Sequence, residues 1–109
     1  MGVTWERTPE NLELRRRAWL DLLVQKISAH PELLSVAREN LERWQASGGR
    51  SQASIEGWRA VLDAGLPAVL EVLQDNSASR EWLRRCEPLA GVVSQAERLD
   101  FLRSWRPPR

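Results

Sequence analysis

Apolar residues recur along this chain three and four positions apart, the repeat of an α-helix that buries one face. No stretch alternates with period two, no Asn-Gly or Asp-Gly pair marks a hairpin, and there is no tyrosine. The pattern divides into about six helices. The first opens at Thr8-Pro9-Glu10, with Thr as cap, proline at the first helical position and an acid at the positive end of the dipole. Its stripe is Leu12, Trp19, Leu20, Leu23, Val24 and Ile27, and His30-Pro31 ends it. The second begins at Pro31, carries Leu34, Ala37, Leu41 and Trp44 inward, and stops at Gly48-Gly49. A polar loop, Ser47 to Ser54, leads to a third helix, capped by Ser51 or Ser54, that buries Ile55, Trp58, Val61 and Leu62 and closes at Gly65.

Pro67 starts a short fourth helix with Leu66, Val69, Leu70 and Leu73. Asp75-Asn76-Ser77 breaks the chain and caps a fifth, whose stripe is Ala78, Trp82, Leu83 and Cys86 and which ends at Glu87-Pro88. An apolar turn, Leu89 to Val93, follows. Ser94 and Glu97 stand in capping-box register at the start of a sixth helix with Leu99, Leu102 and Trp105 on its stripe. The expected fold is all-α: one domain over 1–109, a bundle of two long antiparallel helices with shorter ones packed across them. Residues 1–7 and 106–109 are expected to be loose ends.

Size and composition agree with this. Apolar residues make up 42% of 109, which supports one core without staples. A compact chain of 12.5 kDa should expose about 6,000 Å². The first nine residues have neither the basic nor the apolar region of a signal peptide, no run is long enough to span a membrane, and the single cysteine fits a reducing compartment. These features point to the cytoplasm and to no membrane partner.

The net charge of +1 gives little reason to expect strong non-specific phosphate binding. Its distribution is uneven: residues 80–109 hold seven arginines against four acids, so the last third is the basic end. The run Arg15-Arg16-Arg17 fans around its helix at about 100° per residue and reads as a solvated face beside Glu13 and Asp21.

Reaction chemistry is hard to assemble from these residues. One histidine and one cysteine do not make a metal site. A Cys86–His30–Asp arrangement exists on paper, and Arg84 and Arg85 beside Cys86 would lower its pKa. Cys86 nevertheless falls on the stripe with Trp82 and Leu83, where cysteine is ordinarily core. Gly48-Gly49 lacks the Lys-Ser/Thr of a phosphate loop. The reading is therefore no enzyme, no cofactor and no metal, but a chain that binds another macromolecule. Five of the six tryptophans lie on stripes. Trp5 precedes the first cap and reads either as a lid folded back on the bundle or as a partner anchor.

A resemblance narrows the partner. Trp82 to Arg98, with Pro88-Leu89-Ala90-Gly91-Val92-Val93 followed by Glu97-Arg98 at its core, resembles a pattern in small bacterial proteins. That pattern runs Leu-Arg-Gln-x-x-Pro-Phe-Ala-Gly-Val-Leu-x-x-x-Glu-Arg. The stretch from His30-Pro31-Glu32-Leu33-Leu34 through Ala37-Arg38 and Asn40-Leu41 to Arg43-Trp44 is similar as well. Such proteins resemble antitoxins of type II toxin–antitoxin modules. The chain departs from the pattern at Arg85, where the pattern has Gln, and at Leu89, where it has Phe. The resemblance implies an antitoxin that neutralises a cognate toxin protein by covering its active site. The alternative is a DNA-binding regulator, autoregulatory on operator DNA, using Arg80, Arg84, Arg85, Arg98 and Arg103. A homodimer is compatible with either. The residues expected to meet the partner are Trp5, Arg84, Arg85, Leu89 and Arg98.

Overall fold

Six α-helices form at the segments the apolar repeat predicts in the computed structural model, which describes residues 4–108, except that the second begins at Leu34 rather than Pro31 and the fifth at Glu81 rather than Ala78. They are α1 (Pro9–Ala29), α2 (Leu34–Ser47), α3 (Gln52–Ala64), α4 (Leu66–Gln74), α5 (Glu81–Arg85) and α6 (Gln95–Ser104), with 3-10 turns at Pro31–Leu33 and Ala78–Arg80. Three of the caps are those the residue types demand, while the cap expected from Asp75-Asn76-Ser77 does not form and α5 starts from Arg80 without a side-chain cap. Thr8 Oγ1 accepts from the Asn11 amide, Ser51 Oγ from the Ser54 amide, and Ser94 and Glu97 form the full reciprocal box. Gly48 ends α2 at φ 71° and Gly65 separates α3 from α4 at φ 99°, backbone states that cost glycine little. Among the described residues the sole β feature is an isolated bridge between Ala90 and Val93.

The all-α class and the bundle are as predicted. The two longest helices pack chiefly through the shorter ones: α1 lies on α4, α4 on α3, and α3 on α2. Into this arrangement α1 sends Leu20, Leu23 and Ile27, α2 Ala37 and Leu41, α3 Ile55, Trp58 and Leu62, and α4 Val69, Val72 and Leu73. Leu83, Leu89, Val92 and Val93 close the core from the other end. Of the six tryptophans only Trp58 is buried, and its indole Nε1–H donates to the Leu83 carbonyl at 2.8 Å. Full burial of so large a side chain stabilises the fold by about 3–5 kcal/mol relative to alanine.

Five stripe positions behave differently, among them Ala78, which lies exposed in the 3-10 turn before α5. Leu12, Leu99 and Leu102 stay exposed, and Trp82 is 47% exposed, lying across Gly57 of α3. In its place Arg84 goes inside, at 1% exposure. α5 has only five residues, and with Leu83 facing the core Trp82 and Arg84 lie about 100° to either side of it, so helix geometry alone does not choose between them. The buried guanidinium donates through Nη2 to the Ser77 carbonyl at 2.6 Å and to Glu81 at 2.8 Å, while Nε and Nη1 have no hydrogen-bond partner among the described residues.

The last helix is unlike the rest. No residue of α6 is buried. The accessible surface is 7013 Å², against the roughly 6,000 Å² expected of a compact chain this size. Nor are the ends all loose. Trp5 packs edge-to-face on Trp105, and Arg106 donates to the Arg103 and Trp105 carbonyls. Residues 1–3 and 109, also expected to be loose, lie outside the described residues.

Candidate functional site

Three pairs hold α6 to the body. Lys26 Nζ meets Glu97 Oε2 at 2.7 Å, Trp19 stacks at a tilt on Phe101 with centroids 5.4 Å apart, and Trp5 meets Trp105 at 5.0 Å and 78°. One sequence descends through 26, 19 and 5 while the other climbs through 97, 101 and 105, so α6 runs antiparallel to α1. Both contacting faces are reached with bulky side chains. The helices therefore stand apart, and a groove of about 860 Å³ opens between them.

Its first wall is Leu12, Arg15, Arg16 and Trp19, successive positions of one face of α1. The second is Gln95, Arg98, Phe101 and Leu102 of α6, and the turn from Glu87 to Ser94 closes the end. That turn is rigid for identifiable reasons. The Val92 amide donates to the Leu89 carbonyl at 3.1 Å with Gly91 at φ 95°, the residue and angle a type II turn needs at its third position. The Asn40 side chain, buried on α2, donates to the Pro88 and Ala90 carbonyls at 2.8 and 2.9 Å. The two segments that carry the sequence resemblance thus meet through one carboxamide.

Charge in the groove is mostly positive. Arg16 is held by Glu81 at 2.7 Å, while Arg15 and Arg98 form no ion pair with any described residue. Arg15 instead lies over the Trp5 ring at 5.4 Å, beside Arg7 at 4.6 Å. Among the described residues the one acid lining the groove is Glu87. Burial pushes its carboxyl up from 4.5 to about 7, against the opposing pull of Arg16. At α6, the Lys26 ammonium, helped by the Ser94 amide, holds Glu97 down at about 2. The Arg84 guanidinium holds Glu81 below its ordinary value, with Arg16 and Arg85 acting the same way.

The residues expected to meet a partner divide. Arg98 is exposed on the groove wall, and Arg85 is exposed but paired with Glu81 at 3.3 Å. Trp5 folds back on Trp105, the lid arrangement, and is half-buried. Arg84 and Leu89 need correction as surface anchors. Arg84 is an internal hydrogen-bonding strut, and Leu89, 2% exposed, is core with one edge in the groove floor. Sequence reasoning missed Arg15, Arg16, Glu87 and Phe101. The available signal was the spacing 97, 101, 105, a stripe that competes with Leu99 and Leu102 on the same helix.

Cys86 and His30 do not come together. The Cys86 thiol donates to the Trp82 carbonyl at 2.9 Å, and His30 is exposed beside Glu32. Cys86 lies in a second, smaller cleft of about 500 Å³ with Trp44, Arg50 and Arg85, and Glu87 lines this cleft too. Among the described residues no three His, Cys, Asp or Glu side chains are grouped to hold a metal ion, and no helix is long and apolar enough to cross a membrane. The chain matches no family model, no curated protein and no solved structure.

Proposed function

We propose that this chain is a binding domain that acts by engaging a partner protein through the α1–α6 groove. The partner is a toxin whose active site it covers, the antitoxin role that the sequence resemblance implies. The observation that carries the binding role is the groove itself, lined by apolar side chains and by Arg15 and Arg98, which form no ion pair among the described residues. Its volume lies within the range of built binding sites, about 300–1,000 Å³. Exposed aromatic and arginine side chains together are the usual composition of interface anchors.

DNA contact through the last third draws less support. Arg84 is internal, Arg80 is paired with Glu71 and Asp75, and Arg85 is paired with Glu81. Co-expression with the product of the neighbouring gene, followed by pull-down and a growth assay, tests the proposal. A stable complex and restored growth are expected. Absence of both refutes the antitoxin role, and operator binding that weakens steeply with salt would favour the DNA reading.

A further inference from the structure

Resting on the binding role above, we propose that the groove between α1 and α6 receives an acidic amphipathic helix of the partner protein. Shape argues for a helix. The α1 wall presents residues 12, 15, 16 and 19, and α6 presents 95, 98, 101 and 102, so both walls are ridged helix surfaces with a valley between them. Leu12 to Trp19 spans about 10 Å of axis, two helical turns. A guest helix with apolar residues at i, i+3 or i+4, and i+7 covers that length with its anchors in register. The floor it would meet is Leu12, Trp19, Leu89, Phe101 and Leu102, of which Leu12 and Leu102 are 39% and 37% exposed.

Charge argues for acid. Arg15 and Arg98 stand on opposite walls with no ion pair among the described residues, and the single acid, Glu87, sits at the closed end. Carboxylates flanking the guest's apolar stripe would gain charge-assisted hydrogen bonds to both guanidinium groups. Lysines at the same positions would meet like charge on both sides. A bare phosphate backbone would find the arginines but leave the apolar floor uncovered.

The test uses the full-length chain, labelled for NMR, and two synthetic helical peptides of about 16 residues with identical leucine stripes, flanked by Glu in one and Lys in the other. The Glu peptide is expected to shift the Trp19 and Phe101 resonances and to bind at least about tenfold tighter than the Lys peptide. The double variant Arg15→Glu, Arg98→Glu, whose side chains lie on the groove walls, should reverse that order with its helical circular dichroism unchanged. Equal binding of the two peptides, no binding by either at about 1 mM, or shifts confined to other surfaces overturns the proposal. So does a groove that closes on a second copy, seen as concentration-dependent dimerisation, or Glu peptide displaced by duplex DNA. In the pull-down, a double variant that still captures the partner removes the acidic guest and leaves the binding role standing. A wild-type chain that captures nothing removes the binding role, and this proposal with it.

Discussion

Asn40 in α2 donates across 48 positions of sequence to the carbonyl of Pro88, and its second amide proton goes to Ala90 two residues on. A buried carboxamide with both protons placed on backbone is a staple: it fixes where the turn sits on the body and therefore where the groove ends. Asn40→Ala should lose about 1–3 kcal/mol in urea unfolding, because the buried Pro88 carbonyl and the half-buried Ala90 carbonyl lose their donor. Asn40→Asp should be no better at neutral pH, since a carboxylate has no proton to give. An Asn40→Ala protein as stable as the wild type would show that the staple carries no weight.

Glu87 ties stability to pH. Its carboxyl is raised from 4.5 to about 7 in the folded chain, so between those values the native state holds a proton that the unfolded chain releases. Stability contributed by this group is therefore complete below pH 4.5 and lost as pH rises through 7, by roughly 3 kcal/mol at most. The charged and titratable side chains around it are Arg15, Arg16 and Arg98 on the groove side, and Arg50, Arg85 and Cys86 on the cleft side. Glu87→Gln should flatten the slope between pH 5 and 7 and raise the melting temperature at pH 8. A wild-type curve that rises over this interval contradicts the assignment.

A separate dependence belongs to α6. Glu97 is depressed to about 2, so the Lys26–Glu97 contact is intact above pH 4.5 and lost as pH falls through 2. Since α6 buries no residue, its amides should exchange faster than those of α1, α3 and α4. Ser94→Ala removes the cap and should cost that helix about 1 kcal/mol, accelerating exchange in α6 while leaving the global unfolding midpoint nearly unchanged. Exchange in α6 as slow as in α3 would show that the helix is part of the core unit after all.

Gly57 is where Trp82 rests. A methyl group there would come within 2.6 Å of Trp82 Cη2 and 3.0 Å of Leu83 Cδ2. Alanine is the better helix former by about 1 kcal/mol, but it must displace an indole and press on a core leucine. Gly57→Ala is expected to be destabilising by about 1 kcal/mol net, with Trp82 more quenchable by acrylamide. A stabilised variant with unchanged fluorescence would mean that the indole yields freely.

Most of the scaffold could be read before the structure was seen. Thr8, Ser51 and Ser94 cap where the side-chain chemistry requires, and Gly48, Gly65 and Gly91 hold the positive φ angles that end helices or turn the chain. The errors concentrate where two stripes compete. On α5 the choice lay between Trp82 and Arg84, and hydropathy favours the wrong one. Hydropathy does not reveal the Ser77 carbonyl and Glu81, which give the buried arginine its partners. On α6 the leucines at 99 and 102 outvote Phe101, although 97, 101 and 105 face α1. The groove itself is a relation between helices far apart in sequence. Arg15 and Arg16, read as parts of a solvated fan, become one wall only once α6 returns alongside them.

Because α6 buries no residue, most of its amino-acid choices outside Glu97 and Phe101 are released from the demands of folding. Substitutions along it can accumulate without unfolding the molecule, whereas changes on α1, α3 or α4 are screened by packing. Such a division lets one wall of the groove diversify rapidly over a conservative body. Related chains should then differ most in this helix beyond Glu97 and Arg98, and least around Asn40 and Trp58.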